Sequence, residues 1–352
     1  MNVHSGWYLA AFTSELTDRV SPLDIGTRRL TAVRSGSGVR VFDADCPHRG
    51  AHLGHGGRLD GDCLVCPFHG RRVLLGRPER EGRRPWVREH EAVVCGQALF
   101  VRLTDGPEDD RGMRTVLKEL AGSHSLVAAV HRPVAAPAAL IVENAFDTDH
   151  FTALHKVHQV REMRHRAGAE GELVMDGVFP MPASPWRGPG AAGPGAGPYV
   201  PRFYARAFSP GVVVTEFGPP DEVHVIVTAA VPGADGGCVA RVAIGVREGR
   251  ERELPMLITG SRRALAEDIA VWEHLAPGSE FGPLGPDASD AAVVAYREFC
   301  TGFADLGSPA PTAAPVGPAC QDPARGPQDS ARVSQDPPRV SQDPDSPTGA
   351  EA

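Results

Sequence analysis

Two short segments constrain this chain more than anything else in it: Cys46-Pro47-His48 and, after seventeen intervening residues, Cys66-Pro67-Phe68-His69. Two thiols and two imidazoles at such spacing form a four-ligand set. It suits either a tetrahedral zinc or a [2Fe–2S] cluster in which two histidines replace two cysteines on one iron. Pro47, Gly50, Pro67 and Gly70 place each pair at a tight turn, so the fold must present two loops toward each other. A zinc finger of this content pairs its ligands as C-x2–4-C and H-x3–5-H on a hairpin and a helix. That arrangement is missing here, although Cys63 and Cys66 form a C-x2-C pair that keeps zinc as an alternative.

The surrounding sequence reads as short strands broken by Gly-rich turns. The clearest are Trp7 to Phe12, Arg29 to Val33, Val39 to Phe42 and Leu99 to Leu103. The charged stretch Asp105 to Gly112 reads as a domain boundary. Beyond it, strands are expected at Gly211 to Glu216, Val223 to Val231 and Cys238 to Val246, with helical stretches at Asp147 to Val160 and Glu253 to His274. The fold class is therefore α+β, with an all-β domain over residues 1–112 and a second domain of antiparallel sheet and helices over 113–306. Ser184 to Pro201 is too rich in Gly and Pro for a regular element. It reads either as a loop at an active-site mouth or as a solvated insertion. Residues 307–352 carry the seven-residue repeats QDPARGP, QDSARVS, QDPPRVS and QDPDSPT. Repeated prolines and the lack of apolar a and d positions exclude a coiled coil, so a disordered tail is expected.

A second constellation lies in ENAFDTDHFTALH, residues 143–155, with His150 and His155 as candidate ligands and Asp147 three residues before the first. Two imidazoles and one carboxylate make a facial triad for Fe(II), with neighbouring positions left open. On a regular helix, positions five apart diverge by roughly 140°. One iron can therefore take both histidines only if a helix end or a π-bulge falls between Thr152 and His155. In RRALAEDIAVWEH, Leu265, Ile269 and Trp272 share one face; Asp268 sits at the edge of that arc, whereas Glu267 is expected to point nearly opposite. A carboxylate turned toward an apolar core needs ionic engagement, so Asp268 is the candidate third ligand and Glu273 a weaker competitor.

CPHRGAHLGHGGRLDGDCLVCPFHG resembles the cluster-binding segment of Rieske non-haem iron oxygenases, and Asn144, Asp147, His150 and His155 match that family's N-x-x-D-x-x-H-x4-H signature in order. The resemblance implies an N-terminal Rieske [2Fe–2S] domain and a helix-grip-like catalytic domain. By it, Cys46 and Cys66 hold the buried iron of the cluster, while His48 and His69 hold the outer one. His150, His155 and Asp268 hold a mononuclear Fe(II). Asp147, with Asn144 beside it, is the catalytic carboxylate that links His69 of a neighbouring subunit to His150, which implies a ring of subunits and so a homotrimer. Cys63 is expected to be a small core residue, His52 and His55 loop residues near the cluster, and His158 structural or exposed. One departure stands out: Arg71 occupies the place where the family commonly has tryptophan after CPFHG, which bears on packing and on partner contacts near the cluster.

The resemblance further implies a terminal oxygenase that uses O2 and electrons from a separate ferredoxin or flavin reductase, since the chain carries no stretch that reads as a flavin or nicotinamide signature. It is most similar to the branch of ketosteroid 9-alpha-hydroxylases and cholesterol 7-desaturases, which implies a bulky hydrophobic substrate, steroid-like or a natural-product intermediate, to be hydroxylated, desaturated or cyclised. O- or N-demethylation and a non-catalytic electron-transfer module are the alternatives.

Composition fits these expectations. The formal net charge of −8 argues against a nucleic-acid surface, and no apolar run approaches the roughly 18 residues of a membrane span. The N-terminus does not read as a secretory signal, and seven cysteines, an odd number, argue against a disulfide framework. A cytoplasmic location is the expectation. The 34 arginines against two lysines, Lys118 and Lys156, read as codon bias rather than as a demand for guanidinium.

Overall fold

The computed structural model describes residues 3–307, apart from 37, 78–84, 105, 107–109, 158, 181–198, 234, 277, 279–281 and 283–289. The repeat tail, most of the Ser184–Pro201 loop and His158 therefore lie outside the described residues. The chain divides into two units, residues 1–316 and 317–352, and every element named below belongs to the first.

The N-terminal part contains β1 (Gly6–Phe12), β2 (Val20–Pro22), β3 (Leu30–Ser35), β4 (Gly38–Asp43), β5 (Arg58–Asp60), β6 (Cys63–Val65), β7 (Arg72–Leu75), β8 (Trp86–Val87), β9 (Glu89–Cys95) and β10 (Ala98–Leu103). Six of these form one sheet in the order β1-β10-β9-β4-β3-β2, and β5 to β8 form a smaller four-stranded sheet. Strand β1, GWYLAAF, is buried along its whole length, which explains its unbroken apolar run. Trp7 and Leu9 face one core, shared with Val212, Val214, Val225 and Val227. Tyr8 and Ala10 face another, with Leu99 and Val101. The first sheet thus packs directly on the strands of the second half. At the join, Gly96 has a φ of +56°, and a Cβ there would lie 2.2 Å from the Leu126 carbonyl oxygen, so only glycine allows this approach.

The remainder runs α1 (Met113–Ser123), β11 (His124–Val134), α2 (Ala138–Glu143), α3 (Asp149–Ala153), β12 (Arg161–Ala167), β13 (Leu173–Val178), β14 (Arg202–Ser209), β15 (Val212–Gly218), β16 (His224–Pro232), β17 (Cys238–Arg247), α4 (Leu254–Trp272) and α5 (Ala291–Cys300). Seven strands form an antiparallel sheet in the order β11-β17-β16-β15-β14-β13-β12. Helix α4 begins with Pro255 in its first turn, where a missing N–H costs nothing. It lies against β11 and β17 and buries Leu257, Leu265 and Ile269 against Ile141, Ala240 and Val242.

The helix expected over Asp147 to Val160 is shorter. Helix α3 stops at Ala153, and a 3-10 turn over Asn144–Phe146 precedes it. Helices α1 and α5 were not foreseen. Helix α1 buries Met113, Val116, Leu117 and Leu120, and α5 stacks Tyr296 on Phe146 with ring centroids 5.3 Å apart.

Candidate metal centres

The Cys46 and Cys66 loops are built alike. In the first, the Cys46 amide donates to the Ala51 carbonyl at 2.9 Å and the Gly50 amide donates to the Cys46 carbonyl at 2.8 Å. In the second, the Cys66 amide donates to the Arg71 carbonyl at 2.8 Å and the Gly70 amide to the Cys66 carbonyl at 2.9 Å. Gly50 and Gly70 close the turns with φ of +65° and +66°. Arg71, at the departure from the family pattern, thus serves its loop through its main chain, which any side chain permits.

Both cysteines are buried, whereas His48 is half-buried and His69 exposed, with their rings 4.8 Å apart. Burial, then the Cys66 sulfur beside it, raises the Cys46 thiol; the amides of His48 and Arg49, directed at that sulfur, oppose the rise. Such amides stabilise a sulfur that carries negative charge. Burial, Arg71, His69 and Arg49 push the His48 imidazole down, and its Nδ1 is buried without a hydrogen-bond partner. A neutral ring with an unpaired buried nitrogen is what a metal ligand needs. The residues present therefore fit a cluster with thiolates inside and imidazoles outside.

The second constellation gathers at the end of α3. The Leu154 amide bonds to the His150 carbonyl at 2.8 Å, and the His155 amide bonds to that same carbonyl at 3.3 Å, five residues back. The helix thus ends in a π-type turn at the place where the spacing demanded one, and His150 and His155 come to face each other with ring centroids 5.1 Å apart. Asp268, 5% exposed, approaches from α4, and one ligand atom from each of His150, His155 and Asp268 lies within 4.8 Å of the others.

Neighbouring groups assign the tautomers of both imidazoles. His150 Nδ1 donates to the Asp147 carbonyl at 2.7 Å, and His155 Nδ1 donates to Glu267 Oε2 at 3.0 Å. Each Nε2 is thereby the acceptor of its ring, and at His150 the Asn144 side-chain amide is directed at that lone pair from 3.1 Å. Asp268 Oδ1 lies 3.1 Å from His155 Nε2 but outside hydrogen-bonding geometry, so this buried carboxylate oxygen has no hydrogen-bond partner. A divalent cation fits the site, because it would engage both lone pairs and the orphaned oxygen together. Burial lowers the His150 imidazole against the opposing pull of Asp268 and Asp147. At His155 burial also acts downward, but the nearby Asp268 and Glu267 carboxylates outweigh it and the net shift is upward.

Two expectations need correction. Glu267 does not point away from the site; it straddles His155 together with Asp268 and pairs with Arg263 at 2.9 Å. A helical wheel gives the direction of its Cβ but not the reach of its side chain, and His155 has already left its own helix. Within one chain, moreover, the Asp147 group that takes the His150 Nδ1 proton is the main-chain carbonyl. The carboxylate accepts the Asp149 amide at 3.0 Å and the His150 amide at 3.4 Å at the start of α3, leaving Oδ2 3.8 Å from His150 Nδ1. Local capping of a helix start competes well for a short acidic side chain.

Asn144 directs its Nδ2 at His150 Nε2, 3.1 Å away. Glu273 is remote from the triad and accepts the Ala135 amide. His52 bonds to Asp24 and to the Gly54 amide, and Cys63 is buried in β6.

The triad opens on a cavity of about 650 Å3, within the range of roughly 300–1,000 Å3 typical of small-molecule sites. Phe151, Phe179, Phe203 and Phe217 form one wall, with Phe179 stacked on Phe203 at 5.1 Å. Helix α4 supplies Leu265 and Trp272, and the sheet supplies Ile226 and Val242.

Comparison with known proteins supplies the context. A Rieske [2Fe-2S] domain is recognised over residues 6–74. Among curated proteins, the chain is 29% identical over 191 residues to a cholesterol 7-desaturase of Bombyx mori, covering 48% of this chain and 39% of that one. It is 38% identical over 71 residues to the oxygenase component of a chloroacetanilide N-alkylformylase of Rhizorhabdus wittichii, 20% of either chain. The chain thus matches about two-fifths or less of the length of these relatives. Among solved structures, dicamba monooxygenase bound to dichlorosalicylic acid superposes with a TM-score of 0.61 at 19% identity, covering 86% of this chain and 98% of that one. The QL mutant of NdmA of Pseudomonas putida, with caffeine, superposes with a TM-score of 0.60 at 16% identity, covering 84% and 89%. At such identities the likeness is one of fold: an N-terminal β domain followed by an antiparallel sheet with helices.

Proposed function

We propose that this chain, which carries a Rieske [2Fe-2S] domain over residues 6–74 and shares its fold with dicamba monooxygenase, is a terminal oxygenase of the Rieske non-haem iron type acting on a bulky, largely hydrophobic small molecule. The observation that carries this reading is the triad His150, His155 and Asp268, gathered around one point on the wall of a large apolar cavity. An electron-transfer module would need the cluster loops alone, with no use for two oriented imidazoles and an orphaned buried carboxylate beside a ligand-sized space.

In this reading Cys46, His48, Cys66 and His69 hold a [2Fe–2S] cluster, and His150, His155 and Asp268 hold Fe(II). When bound, the cluster supplies electrons and the iron activates O2. The protein's own work is orientation. The Asp147 carbonyl fixes His150, Glu267 fixes His155, and Asn144 lies against the face of His150 that looks into the cavity. The phenylalanine wall excludes water and holds an apolar substrate beside the triad. Asp147 keeps a carboxylate 41% exposed at the surface, so a second subunit can bring His69 to it and complete a path from cluster to His150. The assembly implied is a homotrimer served by a separate reductase. Cys63, Cys95, Cys238 and Cys300, outside the cluster ligands, form no disulfide among the described residues, and a cytoplasmic location is part of this reading. Among the described residues no helix is long and apolar enough to cross a membrane.

The test is metal content together with substrate-dependent O2 uptake by the reduced protein, scanned over sterols, polyketides and aryl or N-alkyl ethers and amides. The expected result is cluster iron plus one further iron per chain, with O2 consumed only when an accepted substrate is present. Zinc at Cys46 and Cys66, or a fully loaded protein that consumes no O2 with any of these classes, would defeat the reading. Product analysis then separates hydroxylation, desaturation and cyclisation from dealkylation.

A further inference from the structure

The floor of the cavity is the inner face of the seven-stranded sheet, and its composition is nearly uniform. Across β14 to β17, one row of paired residues reads Ala205, Thr215, Ile226, Ile244, and the next reads Ala207, Val213, Thr228, Val242. Two hydroxyls therefore stand among aliphatic side chains. Thr215 and Thr228 both line the cavity, and they occupy diagonal positions on adjacent strands, which places them about 7 Å apart, a gap that one oxygen-bearing group can bridge.

No hydrogen bond of either hydroxyl is seen among the described residues; Thr215 is only 5% exposed, Thr228 is half-buried, and both oxygens open onto the cavity. A buried hydroxyl without a partner is costly, and valine has the same shape without the cost. Two unpaired hydroxyls on one otherwise apolar cavity floor mark a place where a ligand can supply the missing partner.

The charges around the cavity narrow the ligand further. Among the described lining residues the only Lys or Arg is Arg263, and it is held by Glu267 with its side chain 80% exposed. The acidic groups, Asp268 and Glu267, face the triad histidines. Nothing in the described lining offers a free cation to a carboxylate, whereas a carbonyl or alcohol needs only the two threonines.

We propose that Thr215 and Thr228 are the polar anchor of the substrate site, and that the substrate is an uncharged, largely apolar molecule held through a neutral oxygen at the sheet. This deepens the oxygenase reading and rests on it in one respect: the cavity is taken as the substrate site. The anchor lies on the sheet while the triad is carried by the end of α3 and by α4, so the oxygen would set which carbon of the skeleton faces the metal.

The test uses cluster- and iron-loaded protein and three probes of similar skeleton: progesterone, the hydrocarbon pregnane and the steroid carboxylate etianic acid. Dissociation constants come from equilibrium dialysis, with iron and cluster content measured on the same samples. The expected result is progesterone bound about tenfold more tightly than either other probe. Thr215→Val and Thr228→Val should each weaken progesterone about fivefold, from roughly 1 kcal/mol per neutral hydrogen bond, and leave pregnane unchanged. Thr215→Ser should keep the preference by retaining the hydroxyl. Binding of etianic acid as tight as progesterone, an equal loss for pregnane in the valine variants, or no binding of progesterone by loaded wild type overturns the proposal. Any of these in protein that holds its second iron and consumes O2 sinks only the anchor. Conversely, an intact ketone preference in protein that never takes up the second iron sinks the oxygenase reading and leaves the anchor standing.

Discussion

The two candidate centres differ in how far the chain travels to build them. Each cluster loop is closed within six residues, by hydrogen bonds between Cys46, Gly50 and Ala51 or between Cys66, Gly70 and Arg71. The ligand pairs are therefore shaped by turn geometry before any tertiary packing. The triad has no such local frame. His150 and His155 belong to a helix end, and Asp268 arrives on α4 only because Leu265 and Ile269 dock that helix on the sheet. A locally framed site tolerates changes elsewhere in the fold, whereas a site assembled by packing depends on the contacts that align its parts.

The comparison breaks most sharply at the ligands themselves. Asp268→Asn should remove the second iron, weaken Fe(II) binding at least about a hundredfold, and abolish turnover while the visible absorption of the cluster stays intact. Cys66→Ser should do the reverse to the spectrum, bleaching the cluster while His150, His155 and Asp268 still bind Fe(II) or Co(II). Metal analysis and absorption spectra of the two variants decide it. If losing either centre always takes the other with it, the two are not built independently.

Acid sharpens the contrast within the second half. His224 on β16 is buried, and desolvation, helped by Arg250, lowers its pKa from 6.5 to about 4. In the unfolded chain it gains a proton below about pH 6.5, whereas the folded chain resists until about pH 4. The stabilisation is thus complete above pH 6.5 and is lost as pH falls toward 4, by up to about 3 kcal/mol. Replacing His224 with Gln should flatten that part of the stability curve, as measured by urea unfolding from pH 7 to 4. An unchanged slope would mean that other groups carry the acid sensitivity.

What could be read from the chain beforehand follows the same division. Cys46, His48, Cys66 and His69 were legible as one set because turn residues flank both pairs. Asp268 was legible because an acid at the edge of the Leu265–Ile269–Trp272 face is anomalous. Glu267 was misread, because the wheel fixes an angle and not the reach of a long side chain toward a partner 112 residues away. Thr215 and Thr228 carried no signal at all. Strand β15, VVVTEFG, is buried on most of its length, so alternation cannot reveal which face looks into a cavity. Helix α1 has apolar residues at Met113, Val116, Leu117 and Leu120, a spacing visible in principle but overshadowed by the charged linker before it.

The smallest expected effect concerns Glu267, and it asks how much of the triad's alignment comes from beside the ligands rather than from the helix ends. The carboxylate accepts the His155 Nδ1 proton at 3.0 Å and is itself held by Arg263 at 2.9 Å. A carboxylate in this place fixes the ring and makes Nε2 a better donor to a metal. Glu267→Ala should therefore weaken Fe(II) binding about 10-fold to 100-fold. Glu267→Gln keeps an acceptor but loses the charge, so its loss should be smaller. Both variants should leave the cluster spectrum untouched, since no residue of its two loops contacts this side chain among the described residues. Fe(II) affinity from chelator competition, read beside the cluster absorption, gives the answer. If Glu267→Ala binds iron as tightly as wild type, the π-type turn after His150 alone suffices to aim His155, and the second centre is framed more locally than its distance in sequence implies.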